Sequence, residues 1–402
     1  MGRLKVIHII TGLEVGGAER FLSRLLGPLS AKYDCEVISL TTRGPMAEEI
    51  ERHGVPIRVL GMTRSKIQPS KLLKLAGWLR ESRPDVVHTW LYHADLIGGL
   101  AARLAGVPTL MWNIRLSKLS TDYLKRSVIL VARICAAISR FVPDVIVCCA
   151  QTAKDEHAAF GYDERKMVVI HNGIDLDRFK PDPAARAAFR DSIGASPDTT
   201  VIGMVGRFDR QKNYRGFFEL AARLRKTRPE AVFVAIGHGV DEENLELRSW
   251  RQELGLTTGV HVLGRRMDLE RIMPGLDLLV SPSQDEGFPN AVAEAMAIEV
   301  PCVVTDVGDS RMLVDDTGIT VPPGDAEALY QAVEAVLSES QTDRQARGAR
   351  ARRRIAEHFG LQAAADQYAG LYDAWIARTR ARRARSNPAA DQPVGEPAKG
   401  AG

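Results

Sequence analysis

Short apolar runs alternate with longer amphipathic segments along almost the whole chain. The short runs are rich in Val and Ile, which predicts buried strands, and the amphipathic segments between them predict helices. In the first half, the predicted strands begin with Leu4–Ile10 and end with Met167–Ile170. After a turn at His171–Asp175 and a polar stretch, the pattern resumes with the strand Thr200–Val205 and continues to the helix Ala326–Ser338. Repeated β-α-β units of this kind predict parallel sheets with helices on both faces.

Two successive units of similar size predict an α/β fold of two doubly wound, Rossmann-like domains with a cleft between them. We expect the first domain to span residues 1–172 and the second to span residues 173–360. The helix-like segment 361–378 predicts a final helix that ends the folded part. Residues 379–402 are rich in Arg, Ala, Pro and Gly, which predicts a disordered tail.

The most informative stretch is Ser-Pro-Ser-Gln-Asp-Glu-Gly-Phe-Pro-Asn-Ala-Val-Ala-Glu-Ala-Met-Ala, residues 281–297. It follows the predicted strand Leu276–Val280 and becomes helical after Pro289, which suits a first helical position. Gly287 lets the backbone approach a ligand, and the N–H groups at the start of the helix would face an anion. Glu286 and Glu294 lie on either side of this turn. In isolation, the same pattern is equally consistent with a plain strand–loop–helix unit that carries two solvated glutamates.

A second charged loop, Gly206–Lys212, follows the first strand of the second domain. Ligands of open parallel sheets bind at this end of the strands. Arg207 could bind phosphate oxygens through two hydrogen bonds, and Lys212 adds a second positive charge. Together they suit a diphosphate leaving group, and the alternative is an ordinary charged loop.

In the first domain, Gly16 and Gly17 lie in the loop between the first strand and the first helix. The dinucleotide pattern Gly-x-Gly-x-x-Gly is not met, but two glycines would let the backbone approach a ligand from the opposite wall of the cleft. His93 begins a helix that faces the presumed cleft and is a functional candidate. His88, at the end of a strand, is more typical of a packed residue.

Metal-binding and disulfide patterns are missing from the sequence. The pair Asp175 and Asp177 could hold a divalent ion, but aspartates in a turn more often cap it. The five cysteines form no Cys-x-x-Cys pair and are odd in number, which predicts reduced core residues in a cytoplasmic protein. We therefore expect no metal and no cofactor.

Composition, at 45% hydrophobic and 26% charged residues, is that of an ordinary globular protein, with no apolar stretch long enough for a membrane span. The first strand begins almost at once, so no signal peptide is expected. Residues 1–170 carry 24 Lys and Arg against 16 Asp and Glu. This excess is consistent with solubility alone, or with attraction to anionic lipid or to a phosphorylated acceptor. Aromatic residues are not interleaved with these basic residues, so we do not expect nucleic-acid binding.

Five motifs in this order resemble family 4 of the retaining glycosyltransferases, which have the GT-B fold. They are Gly-Gly-Ala-Glu-Arg at 16–20, His93, Asn-Gly-Ile-Asp-x-x-x-Phe at 172–179, Gly206-Arg207 with Lys212, and a Glu-x7-Glu motif from Glu286 to Glu294. The resemblance covers residues 4–375. It implies a nucleoside diphosphate sugar as co-substrate, usually linked to uridine or guanosine, and no metal.

The resemblance also implies roles for individual residues. Donor-binding roles fall on Gly16, Gly17, Arg207, Lys212, Arg266, Glu286, Gly287, Phe288, Pro289, Asn290 and Glu294. Catalytic roles fall on His93, Arg207, Lys212 and Glu286. In this scheme the two cations hold the diphosphate, Glu294 binds the ribose, Glu286 binds the donor sugar, and Arg266 lies near the base.

One departure from the family pattern is Gly308–Met312, where many relatives have Gly-Gly-x-x-Glu. It puts in doubt any ligand contact transferred from that loop. The expected reaction is transfer of a sugar, with retention, to a glycan or lipid-linked acceptor in cell-surface polysaccharide synthesis, with peripheral contact to the inner face of an anionic membrane. Two alternatives are a nucleotide-sugar 2-epimerase of the same fold and a non-catalytic donor-binding subunit.

Overall fold

The chain folds around two separate parallel β-sheets, in a computed structural model that describes residues 3–63, 68–116, 119 and 124–386. Each sheet is flanked by helices that connect successive strands. The predicted α/β fold with two Rossmann-like domains is therefore confirmed.

The first sheet has seven parallel strands in the order β3-β2-β1-β4-β5-β6-β7. Its strands are β1 (Lys5–Ile10), β2 (Asp34–Ser39), β3 (Ile57–Val59), β4 (Val86–Trp90), β5 (Thr109–Ile114), β6 (Val145–Cys148) and β7 (Met167–Val169). Its helices are α1 (Gly17–Lys32), α2 (Met46–Arg52), α3 (Pro69–Ser82), α4 (Tyr92–Ala105), α5 (Arg126–Ile138) and α6 (Gln151–Phe160). The strand order reverses between β1 and β4.

The second sheet has six parallel strands in the order β10-β9-β8-β11-β12-β13. Helix α7 (Pro183–Ser192) precedes it, and its strands are β8 (Val201–Val205), β9 (Val232–Ile236), β10 (Val260–Val262), β11 (Leu278–Ser281), β12 (Cys302–Thr305) and β13 (Ile319–Val321). The remaining helices are α8 (Tyr214–Thr227), α9 (Leu245–Glu253), α10 (Leu269–Ile272), α11 (Asn290–Ala297), α12 (Ser310–Val314), α13 (Ala326–Ser338), α14 (Gln341–His358) and α15 (Leu361–Ser386). Here the order reverses between β8 and β11.

Burial on both faces explains why the strands read as continuous apolar runs. In β1, Val6, Ile7, Ile9 and Ile10 are all fully buried, because helices cover both sides of the sheet. All five cysteines are free and buried, as the sequence predicted.

Four helices were not predicted from the sequence: α12, which has only five residues, and the longer α6, α7 and α14. The sequences of the longer three are polar, and α14 buries only Gly348, Ala351 and Ile355 over five turns, so the apolar period is weak. The helix predicted at 122–141 is also shorter than expected, since α5 spans Arg126–Ile138. Residues 122 and 123 of that prediction lie outside the described residues.

The last helix returns to the first domain. Tyr368 and Tyr372 of α15 are fully buried in the core that contains β1 and β4, and the Tyr372 hydroxyl lies 2.7 Å from Nδ1 of His88. The sequence predicted that this helix ends at 378 and that disorder begins at 379. That prediction was wrong for residues 379–386, because the helix runs on to Ser386. The predicted tail from 387 to 402 lies outside the described residues.

Two segments join the domains, and they lie side by side. Ile174 and Gly360 form a parallel bridge, in which the Ile174 N–H donates to Phe359 and the Leu361 N–H donates to Ile174. Within the described part of the chain, the helices are too short or too polar to span a bilayer.

Candidate active site

A cavity of about 550 Å³ lies between the two domains, at the carboxyl ends of both sheets. Nine of the predicted site residues line it: Gly16, Gly17, Arg207, Lys212, Arg266, Glu286, Phe288, Asn290 and Glu294. The cavity therefore brings together residues that are far apart in the sequence.

The reversal of strand order explains this convergence. In the second sheet, β8 and β11 pair directly at the reversal, so the Arg207 loop after β8 lies beside the Glu286 loop after β11. In the first sheet, the loop with Gly16 and Gly17 follows β1, which is also at the reversal. Such positions form crevices at the carboxyl edge of open α/β sheets.

Lys212 and Glu286 form an ion pair inside the cavity. The Lys212 ammonium lies 2.5 Å from Oε1 of Glu286, and the Ser283 hydroxyl donates to the same oxygen at 2.7 Å. The Glu286 side chain is only 9% exposed. The pair places a cation and a hydrogen-bond acceptor next to each other, so one ligand can contact both.

Arg207 and Arg266 are more exposed and are oriented by local partners. Arg207 donates to Asp209 at 3.1 Å and to Gln211 at 3.2 Å, and its side chain is 58% exposed. Arg266 makes two parallel hydrogen bonds to Asp268, at 2.9 and 2.6 Å. Because both guanidiniums keep an exposed edge, both can bind an additional anion.

The amino terminus of α11 faces the same cavity. Asn290 is its first residue and Pro289 is its N-cap, one position later than the sequence analysis placed the start. Pro289 makes no side-chain cap, so among the described residues the first N–H groups of the helix are left to bind an anion.

Glu294, one turn further along α11, is bound from the opposite domain. Its Oε1 lies 3.3 Å from Nη1 of Arg24 on α1, and the carboxylate is largely buried. Arg24 thus ties the first domain to α11 of the second domain.

Asn290 is also linked to the first domain, through Asn172. The Asn172 side-chain amide donates to Oδ1 of Asn290 at 2.8 Å, and the oxygen of Asn172 accepts a hydrogen bond from Arg115. The Arg115 guanidinium stacks over Phe21 at 4.4 Å. Asn290 itself is exposed to the cavity.

Phe288 borders the cavity but points its ring into the protein. The ring is 5% exposed and packs against His171 and Phe359, with centroid separations of 5.6 Å. Its contribution is to hold the loop in place, since the ring has little surface left for a ligand.

Asp309, in the loop that departs from the family pattern, joins the two domains. Its carboxylate accepts from the backbone N–H of Gln151 and Thr152 at the start of α6, from the Thr152 hydroxyl, and from His171, all between 2.9 and 3.2 Å. Burial would raise the pKa of Asp309, but the hydrogen bonds from His171, Gln151 and Thr152 outweigh burial and hold that pKa below its usual value. The same residue donates its N–H to Gly287 at 3.0 Å and so supports the Glu286 loop.

Three predicted site residues, Gly287, Pro289 and His93, are not among the described residues that line the cavity. His93 is the second residue of α4 and is half-buried. Its predicted role at the reacting centre remains a prediction.

Two cavity residues on α1, Arg20 and Arg24, were not among the site residues predicted from the sequence. Burial, with the neighbouring charge of Arg24, lowers the pKa of Arg20. Their spacing of four residues places both on one face of the helix that begins at Gly17. That spacing was the available signal, but it does not say which face of the helix points into the cleft.

Residues predicted to be structural behave as such. His88 is fully buried, and burial holds its pKa well below the usual value. Asp175 accepts from the backbone N–H of Asp177 and of Arg178 at 3.1 Å, so it caps its own turn. Over the described ranges, no group of three or more His, Cys, Asp or Glu residues is arranged to hold a metal ion.

Similar proteins are found by sequence and by structure. The galactosyltransferase "UDP-Gal:alpha-D-GlcNAc-diphosphoundecaprenol alpha-1,3-galactosyltransferase" of Escherichia coli is 27% identical over 75% of this chain and 78% of its own length. The "2-deoxystreptamine N-acetyl-D-glucosaminyltransferase" of Streptomyces fradiae is 27% identical over 82% of this chain and 84% of its own. The crystal structure of Anabaena HepE in complex with UDP-glucose covers 92% of this chain and 100% of its own, with a TM-score of 0.79 and 20% identity.

Family models match each domain in turn. The model described as "Glycosyltransferase Family 4" matches residues 15–178, and the model described as "Glycosyl transferases group 1" matches residues 185–354. These two segments cover most of both Rossmann-like domains and all the residues that line the cavity except Glu14. The chain is therefore a glycosyltransferase of the GT-B class.

Proposed function

We propose that this glycosyltransferase transfers a sugar from a nucleoside diphosphate sugar, most simply a uridine-linked one, to a hydroxyl group of a glycan or lipid-linked acceptor, with retention of configuration. The observation that carries the proposal is the single cavity that combines the Lys212–Glu286 pair, Arg207, Glu294 and the exposed start of α11. Uridine is the favoured nucleoside because HepE was crystallised with UDP-glucose and the E. coli relative is named for UDP-galactose.

The diphosphate is bound by cations and by backbone. Arg207 and Lys212 supply two positive charges, and the uncapped start of α11 supplies N–H groups and the positive end of its dipole. Negative charge grows on the diphosphate as it leaves, so these groups stabilise the transition state more than the ground state.

The two glutamates bind hydroxyl groups at opposite ends of the donor. Glu286, held by Lys212 and Ser283, accepts from a hydroxyl of the donor sugar. Within the described residues, Arg24 binds Oε1 of Glu294 and leaves Oε2 available, so Glu294 can accept from the ribose hydroxyls. The four-residue spacing between Asn290 and Glu294 sets the ribose one helical turn away from the diphosphate site.

The first domain forms the other wall, where the acceptor enters. At Gly17, a β-carbon would meet no protein atom within 4 Å, so the backbone there faces open space. An acceptor hydroxyl can therefore approach the donor closely from this side. Contact between the domains excludes water and aligns the two substrates.

The proposed step is a substitution on one face of the donor sugar. The acceptor oxygen forms a new bond to the anomeric carbon, the bond from that carbon to the phosphate oxygen breaks, and its electron pair stays on the diphosphate. The acceptor proton passes to the departing phosphate oxygen. His93, on the first turn of α4, is proposed to contact the donor sugar near this carbon.

We expect no metal requirement, because Arg207 and Lys212 supply the charge that a divalent ion supplies elsewhere. Activity measured after dialysis against EDTA should equal activity with added Mg²⁺ or Mn²⁺. A reaction that needs the added ion would contradict this part of the proposal.

The acceptor is proposed to be a lipid-linked glycan, reached by peripheral contact of the first domain with the cytoplasmic face of an anionic membrane. Helix α5 buries one face and exposes Leu130 and Ile134 on the other, with Arg126 and Arg133 beside them. Just beyond the helix, Phe141 is 78% exposed. Exposed apolar side chains next to arginines are typical of surfaces that insert into the interface of anionic bilayers.

Liposome cosedimentation tests this surface. Binding to vesicles of phosphatidylglycerol should fall in the variant Leu130→Glu/Ile134→Glu and stay unchanged in Leu245→Glu, which alters a more exposed leucine on the second domain. Wild-type protein that stays in the supernatant at low salt would refute membrane contact.

The reaction itself is tested by a donor screen followed by product analysis. Thermal shift identifies the nucleotide sugar that stabilises the protein, and NMR of the glycoside product gives its anomeric configuration. Arg207→Ala should lose at least 100-fold in kcat/KM, as for removal of one oxyanion-stabilising group. Arg215→Ala, which removes an exposed arginine on α8, is the matched control.

Three results would overturn the proposal: an inverted product, full activity of Arg207→Ala, or an epimerised nucleotide sugar formed without an acceptor. The last outcome would identify a nucleotide-sugar epimerase. Failure to bind any nucleotide would also overturn the proposal, and would favour a non-catalytic subunit whose donor site is degenerate.

A further inference from the structure

Asn290 faces the cavity as the first residue of α11. The hydrogen bond that it receives from Asn172 fixes the orientation of its side-chain amide. An amide has an oxygen that accepts hydrogen bonds and an NH₂ group that donates them. The end that faces the cavity determines which ligand atom can bind there.

The orientation is set by Arg115. A guanidinium carries only donors, so the atom of Asn172 that faces Arg115 must be the oxygen. Stacking over Phe21 at 4.4 Å and Trp90 at 5.6 Å keeps the guanidinium in place. The NH₂ group of Asn172 is therefore turned the other way, towards the second domain.

The matching of donor to acceptor then also fixes the orientation of the Asn290 amide. The Asn172 NH₂ group donates at 2.8 Å, so the atom of Asn290 that receives this bond must be its oxygen. Asn172 is only 6% exposed, which leaves water little access to compete for that bond. The NH₂ group of Asn290 consequently faces away from Asn172, and in the described part of the chain its side chain makes no other hydrogen bond.

The next residue on this face of α11 is Glu294, four positions on and about 6 Å further along the axis. The face thus offers a donor at Asn290 and an acceptor at Glu294. A ribose 5′-phosphate has the matching arrangement, since its hydroxyls donate to a carboxylate and its phosphate oxygens accept from an amide.

We propose that the Asn290 NH₂ group binds the phosphate attached to the ribose, and that Asn172 and Arg115 are positioning residues that hold this amide in its donating orientation. The proposal rests on the nucleotide-sugar function proposed above and assigns a residue within it. Because Arg115 lies in the first domain, phosphate recognition by Asn290 also depends on contact between the domains.

Isothermal titration calorimetry with a nucleoside, its monophosphate and its diphosphate tests whether Asn290 binds the phosphate. The uridine and guanosine series are both run on the wild type, and the series that binds more tightly is used for the variants. In Asn290→Asp, a carboxylate faces the phosphate, so Kd for the mono- and diphosphate should rise by about tenfold or more while Kd for the nucleoside stays the same. Aspartate is favoured at a helix amino terminus, so the fold is retained.

The exposed residue Gln252 on α9 provides a charge-matched control. Gln252→Glu adds the same charge to the second domain and should leave all three values of Kd unchanged. A loss in this control as large as that in Asn290→Asp would overturn the proposal, because net charge would then be the cause.

Asn172→Asp tests the positioning role from outside the cavity lining. Its carboxylate still accepts from Arg115, but it now presents an oxygen to Asn290, whose amide must turn and expose its own oxygen to the ligand. Kd for the monophosphate should again rise about tenfold, although the new ion pair preserves stability. In an Asn290→Ala background the same substitution should have no further effect.

The outcomes distinguish the proposed function from the assignment of Asn290 within it. A wild-type protein that binds no nucleotide overturns the proposed function, and this assignment with it. Nucleotide binding that Asn290→Asp leaves unchanged overturns only the assignment. Weakened binding of the diphosphate sugar alone, with the diphosphate unaffected, would place Asn290 at the sugar instead. If Asn290→Asp weakens binding but Asn172→Asp does not, the positioning role of Asn172 and Arg115 is wrong.

Discussion

Replacing Asp309 with asparagine should weaken the contact between the two domains. The wild-type carboxylate is 4% exposed and accepts four hydrogen bonds from α6 and from His171. Asparagine keeps one oxygen, which suffices for the two bonds from Thr152. The other position becomes an NH₂ group that faces the N–H of Gln151 and the ring of His171.

The cost follows from the two bonds that are lost. Hydrogen bonds to a charged acceptor contribute about 1.5–3 kcal/mol each, so the loss of two should lower the free energy of unfolding by about 3–6 kcal/mol. The favourable interaction of the carboxylate with the α6 dipole is lost as well. The lost free energy is that of the contact between the two domains, because the core of each domain is unchanged by the substitution.

Urea unfolding followed by circular dichroism measures the effect. Asp309→Asn should lower the midpoint, or split one transition into two as the domains uncouple. Asp325→Asn is the matched control, because Asp325 also caps a helix but is exposed and lies wholly within the second domain. Equal midpoints for the two variants would show that Asp309 does not tie the domains together.

The pH dependence gives a second check on the same residue. The pKa of Asp309 is lower in the folded protein than its ordinary value of 3.8, so the carboxylate stabilises the fold fully above that ordinary value. This stability is lost as the pH falls through the folded pKa. The difference between wild type and Asp309→Asn should therefore be constant near neutral pH and shrink below pH 3.8. A difference that grows on acidification would contradict the assignment.

Three further variants test other parts of the molecule. Lys212→Ala removes the cation beside Glu286 and should lower kcat by about 10²–10³-fold in a donor-saturated assay, and an unchanged kcat would count against a role at the diphosphate. Gly17→Ala adds a methyl group that meets no protein atom, so the melting temperature should stay the same while kcat/KM falls about tenfold or more; normal kinetics would exclude close approach of substrate there. Tyr372→Phe leaves the buried Nδ1 of His88 without its partner and should cost about 1–3 kcal/mol in urea unfolding, whereas an unaltered midpoint would mean that this bond adds no net stability.

The sequence predicted which residues gather in the cavity better than it predicted the contacts that they make there. Lys212 and Glu286 were both placed at the carboxyl ends of strands because each follows an apolar run. That they form an ion pair depends on β8 lying next to β11, and strand order is not contained in local periodicity. For His93 the local prediction was right and the placement was not confirmed. It lies at the start of a helix, as predicted, but it is not among the described residues that line the cavity.

The contacts between the domains were not predictable from local pattern. Asp309 appeared in the sequence only as a departure from a family motif. Its partners lie at the start of α6, a helix whose polar sequence gave no apolar period. Arg24 lies on a correctly predicted helix, but the packing of α1 decides that it points at Glu294. Such long-range pairs depend on tertiary structure.

Finally, the position of α15 has a consequence for the order in which the protein is completed during synthesis. The first domain is translated first, yet part of its core, at Tyr368 and Tyr372, is encoded near the end of the chain. Until that segment emerges from the ribosome, the buried surface around His88 and Trp90 has no cover, while the second domain already has all its strands. The amino-terminal domain is thus the last to mature, and a nascent or truncated chain that stops before residue 361 presents an apolar face that chaperones can bind.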